Sequence, residues 1–135
     1  MIHGIGTDIV AVERLQAFWT RYGDKARERL LAPAEYADFA RAHDKGRFLA
    51  KRFAAKEACS KALGTGFRNQ VFMKDLGVVN LPSGKPTLKL TNGALRRLEE
   101  MTPPGMVAQI DLTITDDFPL AQAIVIISAV PAPAK

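Results

Sequence analysis

The sequence predicts an α+β fold, and three observations carry that prediction. Helix-period segments dominate the first half, whereas period-two segments joined by turns dominate the end. Residues 47–63 lack Gly and Pro and are rich in Ala, Lys and Leu, which marks the longest helix. With 135 residues and 47% hydrophobic content, the chain can bury one proper core. The simplest organisation is one domain over 1–130 and a frayed Pro/Ala-rich tail over 131–135.

The elements follow in order. Ile2 to Ile9 reads as a strand with Ile5 and Ile9 on one face and Gly4, Gly6 and Asp8 on the other. Glycines there let another backbone or a ligand come close, so Asp8 is delivered to a place with room beside it. From Val12 to Tyr22 the period turns helical: Leu15, Phe18, Trp19 and Tyr22 form an apolar stripe, with Arg14 and Arg21 on a different side. Gly23 suits a C-cap, Asp24 an N-cap for Lys25 to Leu31, and Pro33 the first turn of a helix burying Tyr36 and Phe39.

After the polar break His43-Asp44-Lys45-Gly46 comes the long helix, ended by Gly64. Val71 to Leu81 has strand character, and Pro82 to Pro86 is a turn into the strand Thr87 to Leu90. Thr91-Asn92 can cap a helix to Met101 with Leu95 and Leu98 inward. Met106 to Thr115 and Leu120 to Val130 are strands around a turn that includes Asp116-Asp117.

Composition excludes several classes of protein. The lone Cys59 forbids an internal disulfide and no Cys/His cluster has zinc spacing, so a reducing cytoplasm is the expected compartment. No apolar run approaches the roughly 20 residues of a membrane span. The N-terminus, interrupted by Gly4, Gly6 and Asp8, does not read as a signal peptide. A net charge of +5 favours an acidic partner without choosing among nucleic acid, polyphosphate, anionic surface and acidic protein.

Two acids stand among these cations. Phe53, Glu57 and Lys61 are four apart and line one face of the long helix. Glu57 reads either as half of a surface Glu–Lys pair or as a partly buried carboxylate that needs a cation or metal. Asp8 reads either as a strand-end or capping acid or as a ligand. Together they offer the one or two carboxylates that Mg²⁺ takes alongside water and phosphate oxygens, and Mn²⁺ suits the same donors.

The basic set Arg47, Lys51, Arg52, Lys56 and Lys61 is either a solvated helix face or a cradle for phosphates. Gly64 is explained as a helix C-cap; Gly66 adds a tight loop whose N–H groups could meet a phosphate, although no P-loop spacing is present. His3 and His43 are read as ordinary strand and surface residues, and Cys59 as an inert packing thiol.

These segments resemble the holo-[acyl-carrier-protein] synthase family, the small bacterial branch of the 4′-phosphopantetheinyl transferase superfamily. Gly4-Ile5-Gly6-Thr7-Asp8-Ile9-Val10 is similar to the family's GxGxDxx opening. The run from Arg47 to Ala58, followed by Lys61-Ala62-Leu63-Gly64-Thr65-Gly66, is similar to its second signature. Phe53, Lys56, Glu57 and Lys61 meet its aromatic-then-KExxxK core.

The resemblance implies a mostly antiparallel sheet packed around a long helix. It also implies Mg²⁺-dependent transfer of the phosphopantetheine arm of coenzyme A (CoA) to a serine of an acidic apo-acyl carrier protein, leaving 3′,5′-ADP, within fatty acid biosynthesis. On that footing Asp8 and Glu57 bind the metal, and Glu57 and Lys61 are catalytic. CoA meets Arg52, Lys56, Lys61, Gly64, Thr65 and Gly66, while Arg14 and Arg21 meet the carrier. A homotrimer with active sites between subunits is implied as well. Asp116 stands where some relatives carry a histidine, so no histidine-based role transfers. Two other readings compete: a basic nucleic-acid-binding module built on the long helix, and a CoA-binding protein without catalysis.

Overall fold

The computed structural model describes residues 1–133. Its architecture is α+β, with a central helix laid across one face of an antiparallel sheet. Strand β1 (Ile2–Ala11) runs directly into helix α1 (Val12–Tyr22), followed by α2 (Asp24–Leu30), a 3₁₀ turn (Pro33–Glu35) and α3 (Tyr36–Arg41). The long helix α4 (Lys45–Ala62) leads through a second 3₁₀ turn (Met73–Asp75) to the hairpin β2 (Leu76–Asn80) and β3 (Pro86–Leu90). Helix α5 (Asn92–Met101) and the paired strands β4 (Met106–Asp117) and β5 (Leu120–Pro131) complete the chain.

The main sheet has the order β1-β5-β4, all antiparallel, with the β2-β3 hairpin beside it. Asp8 lies opposite Ala123, which lies opposite Ile114, so these three share the face turned toward α4. Helix α4 is capped at its start by Asp44, whose side chain accepts from the Arg47 amide at 3.0 Å. Ala50, Ala54, Ala55, Ala58, Cys59 and Ala62 are buried around it. Small residues on several sides let sheet and α1 both approach closely, as a central helix requires.

Glycines set the distance between β1 and α4. A Cβ on Gly4 would fall 2.0 Å from the Ala62 carbonyl oxygen, and one on Gly6 would fall 1.8 Å from that of Ala58. The close partner of the glycine face is therefore the backbone of α4. The opposite face carries Ile5 and Ile9 outward, each more than half exposed.

Local expectations are corrected in five places. Gly23, at φ +53°, closes α1 by donating to the Trp19 carbonyl and also occupies the cap of α2, so Asp24 is the first helical residue rather than its cap. The strand expected over 71–81 is confined to Leu76–Asn80. Before it, Lys56 Nζ binds the Met73 carbonyl at 3.1 Å, and the buried Asp75 carboxylate accepts from Asn92 Nδ2 at 2.9 Å, which coils the chain into a turn.

Leu95 is exposed, because α5 turns Gly93 and Ala94 inward and Gly93 packs on the Gln70 backbone. The turn between the last strands is Phe118-Pro119, since β4 continues through Asp117. Of the expected frayed tail, Pro131 closes β5 and the Ala132 amide donates to the Gly105 carbonyl at 3.2 Å; residues 134 and 135 lie outside the described residues.

Candidate active site

The docking of β1 on α4 brings the two predicted acids to one place. Lys61, one turn after Glu57, reaches across to β1: its Nζ donates to the Thr7 carbonyl at 2.9 Å and to Asp8 Oδ1 at 3.3 Å. The second Asp8 oxygen, Oδ2, is buried and has no hydrogen-bond partner among the described residues. Glu57 is close enough for Asp8 to act on its titration. Its carboxyl is held above the ordinary carboxylate range, first by desolvation and then by the negative charge of Asp8, while Lys61 and Arg14 pull it back. Two carboxylates that repel each other, one with an orphaned oxygen, form a site suited to a cation.

Among the described residues no group of three or more His, Cys, Asp or Glu could hold a metal. A hard cation at Asp8 and Glu57 would therefore complete its shell with water and ligand oxygens. That is how Mg²⁺ commonly sits beside phosphates.

The remaining predicted residues divide. Arg14, at the start of α1, stacks its guanidinium on Phe53 at 5.1 Å and acts on Glu57, so it belongs to the rim of the acid site. Arg21 lies about 10 Å further along α1 and covers the Tyr22 ring. Arg47 is engaged by Asp116 in β4, a bond that holds the Asp116 carboxyl below its usual range.

Lys56 departs from the expectation that it meets a coenzyme. It is fully buried, and its ammonium is bound by Glu35 Oε1 at 2.5 Å; burial pulls it below the ordinary lysine range against that attraction. Arg52 is largely covered and points toward the same carboxylate, with Nη1 donating to the Val78 carbonyl at 3.1 Å. Burial of Lys56 also breaks the continuous basic helix face that a nucleic-acid module would need.

The Gly64-Thr65-Gly66 loop caps α4 with its own amides. Gly64 N–H donates to the Lys61 carbonyl at 3.0 Å and Gly66 N–H to the Ser60 carbonyl at 3.1 Å. Both glycines have positive φ, which explains their identity. Those two amides are thus spent on the helix end rather than left open for a phosphate. The Cys59 thiol, pushed up to about 12 by burial, is inert as expected.

Glu35 escaped the sequence reading. Its spacing of four from Phe39 placed it on the buried side of that segment, and that was the available signal. The Thr7 carbonyl escaped as well, because a main-chain acceptor leaves no mark in a sequence.

Fold and site together define a small protein whose sheet and central helix meet at a carboxylate pair with a bridging lysine. Residues 4–121 match the 4′-phosphopantetheinyl transferase superfamily, and the chain belongs to that superfamily. It is 58% identical over 132 residues to the holo-[acyl-carrier-protein] synthase of Phenylobacterium zucineum, covering 98% of this chain and 96% of that protein. The crystal structure of holo-[acyl-carrier-protein] synthase from Neisseria meningitidis superposes with TM-score 0.83 at 36% identity, covering 95% of this chain and 99% of that one.

The Helicobacter pylori holo-[acyl-carrier-protein] synthase, solved in complex with coenzyme A, superposes with TM-score 0.75 at 30% identity, covering 92% of this chain and 99% of that one. The resemblance read from the two signatures thus extends over nearly the whole chain, and with it the expectation of an enzyme of the holo-[acyl-carrier-protein] synthase kind. No helix among the described residues is long and apolar enough to cross a membrane.

Proposed function

We propose that this chain transfers the 4′-phosphopantetheine arm of CoA to a serine of an acidic apo-acyl carrier protein, in a Mg²⁺-dependent reaction that leaves 3′,5′-ADP. The observation that carries this is the meeting of Asp8, Glu57 and Lys61 across the β1–α4 contact. In the reaction the serine oxygen forms a bond to the phosphorus nearer the pantetheine arm, and the pyrophosphate bridge breaks. The bridging oxygen's electron pair leaves with 3′,5′-ADP.

Asp8 and Glu57 would hold the metal, as the orphaned Asp8 oxygen and the destabilised Glu57 carboxylate favour. When bound, it would neutralise charge on the pyrophosphate. Lys61 adds a mobile positive charge at the same edge; its side chain is half-exposed and can exchange Asp8 for a phosphate oxygen. Glu57, or a water held by the carboxylates, takes the serine proton, and a raised carboxyl is the better matched to that task at neutral pH. Arg52 supplies a second cation for CoA, and the open side of Gly66, past the end of α4, leaves room for part of the ligand.

The carrier docks along α1, where Arg14 and Arg21 present positive charge to an acidic helix. The outward sheet face suits self-association: Ile5, Ile9 and Ile124 are exposed together on β1 and β5. A homotrimer formed through it, with active sites between subunits, is part of this reading, as is a cytoplasmic setting in fatty acid biosynthesis.

The test is intact-mass measurement of an apo-carrier incubated with CoA, Mg²⁺ and this protein. A gain of one phosphopantetheine, stopped by chelation, is expected. No gain with several apo-carriers would rule out transfer and leave a CoA-binding role.

A further inference from the structure

Glu35, Lys56 and Arg52 form a buried group of three charges. Glu35 is 1% exposed and Lys56 is 0% exposed, and they neutralise one another through the Lys56 Nζ–Glu35 Oε1 contact. Glu35 Oε1 also accepts from the Ala32 amide at 2.9 Å, so that oxygen is fully used. The other, Oε2, is buried with no hydrogen-bond partner among the described residues, and Arg52 Nη1 lies 3.6 Å from it.

Arg52 is the one member that reaches solvent, with 17% of its side chain exposed. Its guanidinium lies over the Phe48 ring at 4.7 Å and its Nη1 is tied to the Val78 carbonyl. Three contacts, an aromatic face, a carbonyl and a carboxylate, therefore fix the plane of the guanidinium. Its Nε and Nη2 make no hydrogen bond among the described residues. A fork held this way keeps two donors ready for an anion.

Within this group Glu35 offsets Lys56, on which the buried Asp75 also acts, and Arg52 is the member whose charge reaches solvent. Stability alone does not account for the arrangement, because a buried ion pair offers little advantage over an apolar pair of similar size. We propose that Glu35 is a positioning residue for coenzyme recognition: anchored on Lys56, it holds the Arg52 guanidinium in the orientation that receives a CoA phosphate. This rests on the transferase reading above. It adds a link from the turn before α3 to the phosphate site, through a residue that never touches the substrate.

The test is a double-mutant cycle on holo-carrier formation with wild type, Glu35→Gln, Arg52→Ala and the double variant. Glu35→Gln is expected to raise KM for CoA about tenfold, with kcat and the carrier KM nearly unchanged. In the Arg52→Ala background it is expected to add nothing.

Because Glu35→Gln leaves Lys56 unpaired, Glu35→Gln/Lys56→Met is run in parallel to remove both buried charges, with thermal unfolding as the check on folding. The same CoA-specific effect, again absent without Arg52, is expected. Calorimetric titration of CoA into the metal-free protein should rank the variants in the same order. Additive effects in the two backgrounds, an effect on kcat or carrier KM instead, or an unchanged CoA KM in Arg52→Ala would overturn the proposal. Failure of the transferase reading is separately visible, as wild type would then yield no holo-carrier.

Discussion

The ammonium of Lys61 lies 3.3 Å from Asp8 Oδ1, joining the helix that carries Glu57 to the strand that carries Asp8. These residues are 53 positions apart in sequence, and the contact exists because Gly4 and Gly6 let the two backbones meet. Lys61→Met removes both the tie to the Thr7 carbonyl and the mobile cation. Transfer is expected to fall by about a hundredfold or more, with thermal unfolding nearly unchanged because the side chain is half-exposed. Steady-state kinetics beside a melting curve separate the two effects.

Gly6→Ala probes the docking itself. A methyl group at 1.8 Å from the Ala58 carbonyl oxygen cannot be accommodated without moving strand or helix. A loss of roughly 1–3 kcal/mol or more in urea unfolding is expected, together with loss of transfer. A variant of wild-type stability would mean that β1 and α4 are not in this contact.

Glu57 gives a pH prediction with a definite sign. Its folded carboxyl is raised, by desolvation first and Asp8 second, so the folded protein binds the proton more tightly than the unfolded chain does. The stabilising contribution is full below the ordinary carboxylate range and is lost as pH rises through the raised value. Metal-free wild type should therefore be less stable than Glu57→Gln at neutral pH, and this difference should vanish in acid. Urea midpoints across that range test it, and an equal difference at every pH would contradict it.

Arg14 and Arg21 differ in setting, and their variants should differ accordingly. Arg21→Glu is expected to raise the carrier KM and flatten its salt dependence while kcat holds. Arg14→Glu should also alter kcat, because Arg14 acts on Glu57. Kinetics at two ionic strengths distinguish them.

The outward isoleucines make self-association testable. Ile124→Lys places a charge in the centre of the exposed face formed with Ile5 and Ile9. Light scattering should show a trimer for wild type and a monomer for the variant. A monomeric wild type would remove the trimer from the proposal.

Much of the fold was legible because periodicity and punctuation agreed: α1, α4 and the last two strands fall close to where spacing placed them. The failures have local causes. Met73–Asp75 coils rather than extends because Lys56 and Asn92 claim its polar groups, and neither partner is near it in sequence. The acids and Lys61 could be singled out by residue type and helical spacing. What Lys56 does could not, since a lysine in a basic run gives no sign that a carboxylate 21 residues upstream has drawn it into the core.

The most direct measurement is Mn²⁺ titration, followed by electron paramagnetic resonance, in the presence of CoA. One bound ion per chain is expected for wild type. That binding should be lost in Asp8→Asn and Glu57→Gln, whose circular dichroism should match wild type. Equal binding by either variant, or full transfer by wild type under chelation, would contradict a metal held between β1 and α4.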